Sequence, residues 1–271
     1  MRYQDIDWDT MWRESRAHKS WKKKKNSDWD QRAASFAERN LDSPFAAQFM
    51  AHLHLEPEWR VLDVGCGPGT LAIPVAGLVR HVTALDYSAA MLAELAKRAA
   101  AAKLKNITTV QASWDDDWQA LKIPRHEVAI ASRSLSVDDL QGALRKLNGW
   151  ASKAVYVVDR VGAGPFDPDL FAAIGRAFEP GPDYIFTLNI LYSLGIHAKV
   201  DFLSLESTKT YSSREEALQS YRWMVDDLTA AEEERLAAYV AARLNQLDEK
   251  TWQLTRQTPP RWALLSWRTP G

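Results

Sequence analysis

The stretch VLDVGCGPGT, Val61 to Thr70, sets three glycines on alternate positions between a strand-like run and a helix-like one. Trp59 to Val64 is rich in strand formers, and LAIPVAGLV restarts at Leu71 with helical spacing. Glycines between the two let the main chain adopt positive φ and approach a ligand closely. The helix that follows points its free N–H groups at whatever sits there. A second strand-like segment, HVTALDYS, carries Asp86 near its end. An acid at that place in a strand–glycine–helix–strand unit suits the ribose hydroxyls of a nucleotide-type ligand.

Asp63 narrows the ligand. It lies two residues before the first glycine, where a dinucleotide-binding loop normally has an apolar residue. A carboxylate there repels a pyrophosphate and suits a ligand that carries positive charge. The spacing Asp63-x-Gly65-x-Gly67-x-Gly69 resembles the first motif of class I S-adenosylmethionine-dependent methyltransferases, and LDYSAAML (Leu85 to Leu92) resembles the second. The resemblance implies an α/β fold with a doubly wound, mostly parallel seven-stranded Rossmann-like sheet. It implies S-adenosylmethionine as cofactor, with S-adenosylhomocysteine as product. Gly65, Cys66, Gly67 and Gly69 would take the methionine moiety beside Asp63, and Asp86 the ribose. Tyr87 and Met91, within the second motif, would line the adenosine pocket.

The remaining strands follow the family's order. ITTVQASW (Ile107 to Trp114) reads as the third, EVAIASRSL as the fourth and KAVYVVDRV as the fifth. KVDFLSLES and WALLSWR suit a sixth and seventh, paired antiparallel. Where the family usually places an acid facing the adenine amino group, this chain has Ser113, so adenine recognition falls to backbone groups of Ser113 and Trp114 or differs here. Ser132 reaches the carboxyl edge from the fourth strand and joins the cofactor set.

Size and composition bound the rest. The 271 residues allow one large domain with or without a lid, and a 46% hydrophobic fraction provides a sizeable core. The expected division is a helical N-terminal extension or lid over 1–55, a cofactor-binding core over 56–161, a helical cap insertion over 162–200, and strands six and seven with intervening helices over 201–271. A formal net charge of −1 supplies no global field to draw in nucleic acid. The single Cys66 cannot form an internal disulfide, and no apolar run approaches a bilayer span. The chain reads as soluble and cytoplasmic. No metal-ligand spacing is visible, the acids Asp115 to Asp117 included.

Ligands of open α/β sheets sit outside the carboxyl ends of the strands. The acceptor pocket is therefore expected from the loop after the fourth strand, the N-terminal segment and the insertion after the fifth. Arg133 is the main candidate: its guanidinium could fork onto an anionic acceptor, or pair with an acid of the cap. His197 is a candidate general base, with Tyr192 beside it in the catalytic set. Tyr184 and Asn189 complete the insertion's contribution. Twelve tryptophans include Trp8, Trp12, Trp21 and Trp29 in the first thirty residues. Tyr3, Trp8 and Trp12 either close over cofactor and acceptor or anchor N-terminal helices against the sheet.

The leading expectation is thus methyl transfer to a small molecule, with an anionic or carboxylate-bearing acceptor. One alternative is an RNA or tRNA methyltransferase that uses the Trp- and Lys-rich HKSWKKKKN segment. Nucleic acid is disfavoured, because SRSL follows the fourth strand where base-methylating enzymes carry an Asn or Asp with prolines and an aromatic. Another alternative is a non-catalytic S-adenosylmethionine-binding regulator. A dehydrogenase is opposed by Asp63.

Overall fold

The computed structural model describes residues 2–20, 30, 33 and 44–270. Trp21, Trp29 and the lysine run lie outside the described residues. Seven strands form the main sheet: β1 (Arg60–Val64), β2 (His81–Asp86), β3 (Ile107–Gln111), β4 (His126–Ser132), β5 (Ala151–Arg160), β6 (Lys199–Ser204) and β10 (Arg261–Arg268). Their order is β3-β2-β1-β4-β5-β10-β6. β1 to β5 pair in parallel, and β10 runs antiparallel to both β5 and β6. This is the expected sheet, with the expected antiparallel pair at its end.

Burial on both faces explains the near-continuous apolar strands. Leu62, Val64, Ala129, Val155 and Val157 meet α1 (Trp8–Ala17), α5 (Leu140–Trp150) and α7 (Tyr184–Ser193) on one face. Val61, Val82, Val128, Tyr156 and Val158 meet α2 (Pro44–His52), α3 (Ala72–Ala76) and α4 (Ala89–Ala101) on the other. Side chains alternate across a strand, so Asp63, flanked by Leu62 and Val64, points to the α3–α4 face.

The region after β5 departs from expectation. Its first helix, α6 (Pro168–Ile174), ends at Gly175, which takes the left-handed conformation at φ 83°. α7 is not a cap over the sheet edge. Thr187, Ile190 and Leu191, at spacings of three and four, bury it in the first core layer. A second, three-stranded antiparallel sheet was not foreseen. It consists of β7 (Thr208–Tyr211), β9 (Trp252–Thr255) and β8 (Leu244–Gln246), in that order. With α6, α8 (Arg214–Arg222) and α9 (Ala230–Ala241) it encloses its own core around Phe171, Tyr221 and Leu236. Thr229 and Glu232 form a capping box at α9. At α8, Ser213 caps Glu216, whose carboxylate reaches back to Ser212 instead of Ser213.

Candidate active site at the carboxyl edge

β1 delivers Asp63 to the sheet interior, level with Ala84 of β2 and Ile130 of β4. Only 2% of the residue is exposed, and its Oδ2 has no hydrogen-bond partner among the described residues. Burial, reinforced by the charge of Asp86, pushes its pKa up to about 7, while the Ala72 amide works the other way. The turn that follows is tied to β2, since the Gly65 and Cys66 amides both donate to the Leu85 carbonyl at 2.7 and 2.9 Å. Gly65 sits at φ 71° and leaves no room for a Cβ, which would lie 2.3 Å from Cβ of Ser134. Gly67, at φ 54°, is the opposite case: a Cβ there would meet nothing within 4 Å. The turn is packed behind Gly65 and open at Gly67. Gly69 packs against Leu95, and Cys66 is buried with burial pushing its thiol pKa up.

Asp86 closes the β2 side. Its Oδ2 accepts the Gly67 amide at 2.8 Å and its Oδ1 the Ser88 amide at 2.9 Å, while burial raises its pKa. Ser88 caps α4 through the Met91 amide and also donates to Asp30 at 2.6 Å. Asp30 brings the N-terminal segment to this corner, a contact with no signal in the sequence. Tyr87 is partly exposed, and its carbonyl accepts from Gln111. Met91 is 3% exposed, so little of it faces a ligand.

The loops after β3 and β4 form the opposite wall. Ser113 spends its amide and hydroxyl on Asp116 at 2.7 and 2.9 Å. Trp114 donates its indole N–H to the Ser134 carbonyl at 3.0 Å, and Ser134 Oγ donates to the Val64 carbonyl at 2.7 Å. Three loops are thereby clasped together. Ser132 Oγ is buried without a partner. Arg133 follows it in the left-handed conformation, φ 59°, its amide held by the Val158 carbonyl at 2.8 Å. No acid among the described residues pairs with its guanidinium, which lies over the rings of Phe45 (4.2 Å) and Trp262 (5.5 Å). The expected ion pair with the cap is absent among these residues. Surrounding protein draws its pKa down to about 10, although the side chain keeps accessible surface.

A model of the methyltransferase domain family matches residues 61–152, which span the glycine turn and β1 through α5. An uncharacterized protein of Haemophilus influenzae is 34% identical over 242 residues, 88% of either chain. The 23S rRNA (uracil(1939)-C(5))-methyltransferase RlmD of Photobacterium angustum is 33% identical over 79 residues, 29% of this chain and 36% of its own. A candidate methyltransferase of Bacillus halodurans C-125 shares the fold with TM-score 0.56 at 14% identity, over 83% of this chain and 99% of that one. Over residues 61–152 the chain carries a methyltransferase domain of the class I S-adenosylmethionine-dependent type. Its cofactor is S-adenosylmethionine. The residues present fit that group: a buried carboxylate oxygen without a partner matches a cationic ligand, and the open side of Gly67 admits one.

Several residues expected to serve this methyltransferase's acceptor lie elsewhere. Lys199 pairs with Ser266, which pairs with Tyr156, level with Asp63. His197 precedes Lys199 by two residues, so it sits about 7 Å toward the amino edge and four strand spacings, about 19 Å, across the sheet. Its ring packs edge-on against Tyr192 at 5.3 Å, and Tyr192 packs against Tyr3 at 5.0 Å. Tyr3 donates to the Asn189 carbonyl at 2.9 Å, and Asn189 bonds within its own helix to Ile185. Tyr3, Tyr192 and His197 form an aromatic flank against α7, joined to Asn189 through Tyr3. Tyr184 packs on Phe202 of the terminal strand. Trp12 is 3% exposed and donates to the Val137 carbonyl at 2.9 Å, and Trp8 packs against the same core. α1 is thus a strap. It holds the loop after β4 through Trp12 and Arg16, whose guanidinium also meets Val137 and Asp138. Among the described residues no helix is long and apolar enough to cross a membrane.

Proposed function

We propose that this enzyme transfers the methyl group of S-adenosylmethionine to a small molecule carrying an anionic group. The observation that carries the reading is the unpartnered carboxylate of Asp63 beside an open glycine turn. Asp63 and the turn from Gly65 to Gly69 would hold the amino-acid end, and Asp86 the ribose. Tyr87, Ser113, Trp114 and Ser132 would flank the adenosine, although Asp116 already engages both the amide and the hydroxyl of Ser113. Arg133 would receive the acceptor's anion. The bound cofactor supplies a methyl group already activated by positively charged sulfur, so the chain's residues need only align the acceptor and exclude water. Alignment of that kind contributes roughly 7 to 11 kcal/mol. The clasp of Trp114, Ser134 and Val64 supports this role by fixing three loops before a ligand arrives.

The short match to an rRNA methyltransferase covers too little of that protein to carry its acceptor over. Incubation with an isotope-labelled methyl donor and size-fractionated lysate tests the proposal. Label is expected in a low-molecular-weight, acidic fraction; label in RNA alone would overturn it.

A further inference from the structure

Arg133 occupies an unusual position for a charged residue. Its backbone adopts the left-handed conformation, which is strained for a non-glycine residue and persists where the surroundings impose it. The Val158 carbonyl does so here by accepting the Arg133 amide. The guanidinium lies over two aromatic faces, Phe45 and Trp262, and no acid among the described residues neutralises it. Cation–π contacts fix a guanidinium through its faces and leave its edge N–H groups unspent. An acidic partner would have consumed those donors. Two buried groups near it lack hydrogen-bond partners among the described residues: Ser132 Oγ, its chain neighbour, and Trp262 Nε1, on the ring beneath it.

The geometry points to Arg133 as a carboxylate receptor, held against the rings of Phe45 and Trp262, which meet each other edge to face at 71°, so that its fork meets a carboxylate with charge intact. The fork matches a carboxylate in two parallel bonds, which a lysine ammonium cannot reproduce. This deepens the methyl-transfer reading and rests on it for the carboxylate's owner. That carboxylate belongs either to the acceptor or to the amino-acid end of the cofactor, and Arg133 follows β4, adjacent to the clasp that backs Gly65.

Titration calorimetry on the full chain separates the possibilities with three probes. They are S-adenosylhomocysteine, methylthioadenosine (which lacks the carboxylate) and benzoate added to the S-adenosylhomocysteine complex. Arg133→Gln is compared with wild type; Arg133→Gly, which suits the left-handed backbone, serves if the first variant is unstable. A tenfold or greater loss of benzoate affinity, with S-adenosylhomocysteine within twofold, supports the site with the acceptor as its source. A tenfold loss for S-adenosylhomocysteine but not for methylthioadenosine supports it with the cofactor as its source. Unchanged affinity for every probe overturns the carboxylate receptor. Failure of wild type to bind S-adenosylhomocysteine would instead remove the methyl-transfer reading. Benzoate affinity of the free protein, measured with and without Arg133, would then decide the receptor by itself.

Discussion

Asp63 in the main sheet and Asp167 in the C-terminal lobe are both aspartates with almost no exposed surface, at 2% and 0%. The chain surrounds them differently. Asp167 caps α6 through the Asp169 amide, accepts the Tyr239 hydroxyl at 3.0 Å and faces Arg256 at 3.6 Å. Arg256 in turn reaches the Pro165 and Phe166 carbonyls. Asp63 keeps an oxygen with no partner and has another acid as its nearest charged influence. A buried polar group left unsatisfied is costly, and fold stability alone gives no reason to retain it. The satisfied acid holds a lobe together; the unsatisfied one makes no such bond through its Oδ2 among the described residues.

Substitution at the two acids separates these roles most sharply. Asp63→Asn should weaken S-adenosylhomocysteine binding about 100-fold, the scale of losing one member of a buried charge pair. The same change should stabilise the free protein at pH 8. A carboxyl raised from 3.8 to about 7 by folding binds more protons folded than unfolded. Stability is therefore lost as pH rises through that window, by about 4 kcal/mol once above it. The gain in Tm should vanish near pH 4, and calorimetric scans at both pH values check the sign. Asp167→Ala should do the reverse, leaving affinity within twofold while destabilising by about 3–5 kcal/mol, because Arg256 and Tyr239 lose their partner. Denaturant unfolding followed by titration reads both effects.

A smaller effect is expected at Asp86. Asp86→Ala should weaken S-adenosylhomocysteine more than tenfold with near-native circular dichroism; unchanged affinity would place the ribose elsewhere. The smallest belongs to the aromatic flank. His197→Ala and Tyr192→Phe should each alter turnover less than twofold once an acceptor is known, since both sit at the sheet's far side. A tenfold loss in either would restore the flank to the site.

The carboxyl edge was legible in sequence because its determinants are local. Strand, glycines, helix and acid fall within about thirty residues, and Gly65, Gly67 and Asp86 do meet in space. The strands of the main sheet were legible as apolar runs, and their arrangement was implied by the resemblance to the methyltransferase family. The place of His197 is not written in residue type or local spacing, because it depends on the register of β6 against β10, which only pairing reveals. The second sheet escaped for a related reason: TKTY, LNQ and WQLT are three or four residues long and carry no sustained alternation. The environment of Arg133 is equally non-local, since Phe45 and Trp262 are far from it in the chain.

The central claim is that an ionised Asp63 recognises a cationic cofactor, and titrating wild type with S-adenosylhomocysteine from pH 5.5 to 8.5 tests it most directly. Because the carboxyl titrates near 7 in the free protein, affinity should be constant above about pH 7.5. It should fall toward tenfold per unit below about 6.5, and Asp63→Asn should flatten the profile. Tight binding of a nicotinamide dinucleotide with none of S-adenosylhomocysteine would contradict the account. So would wild-type affinity that does not vary across this range.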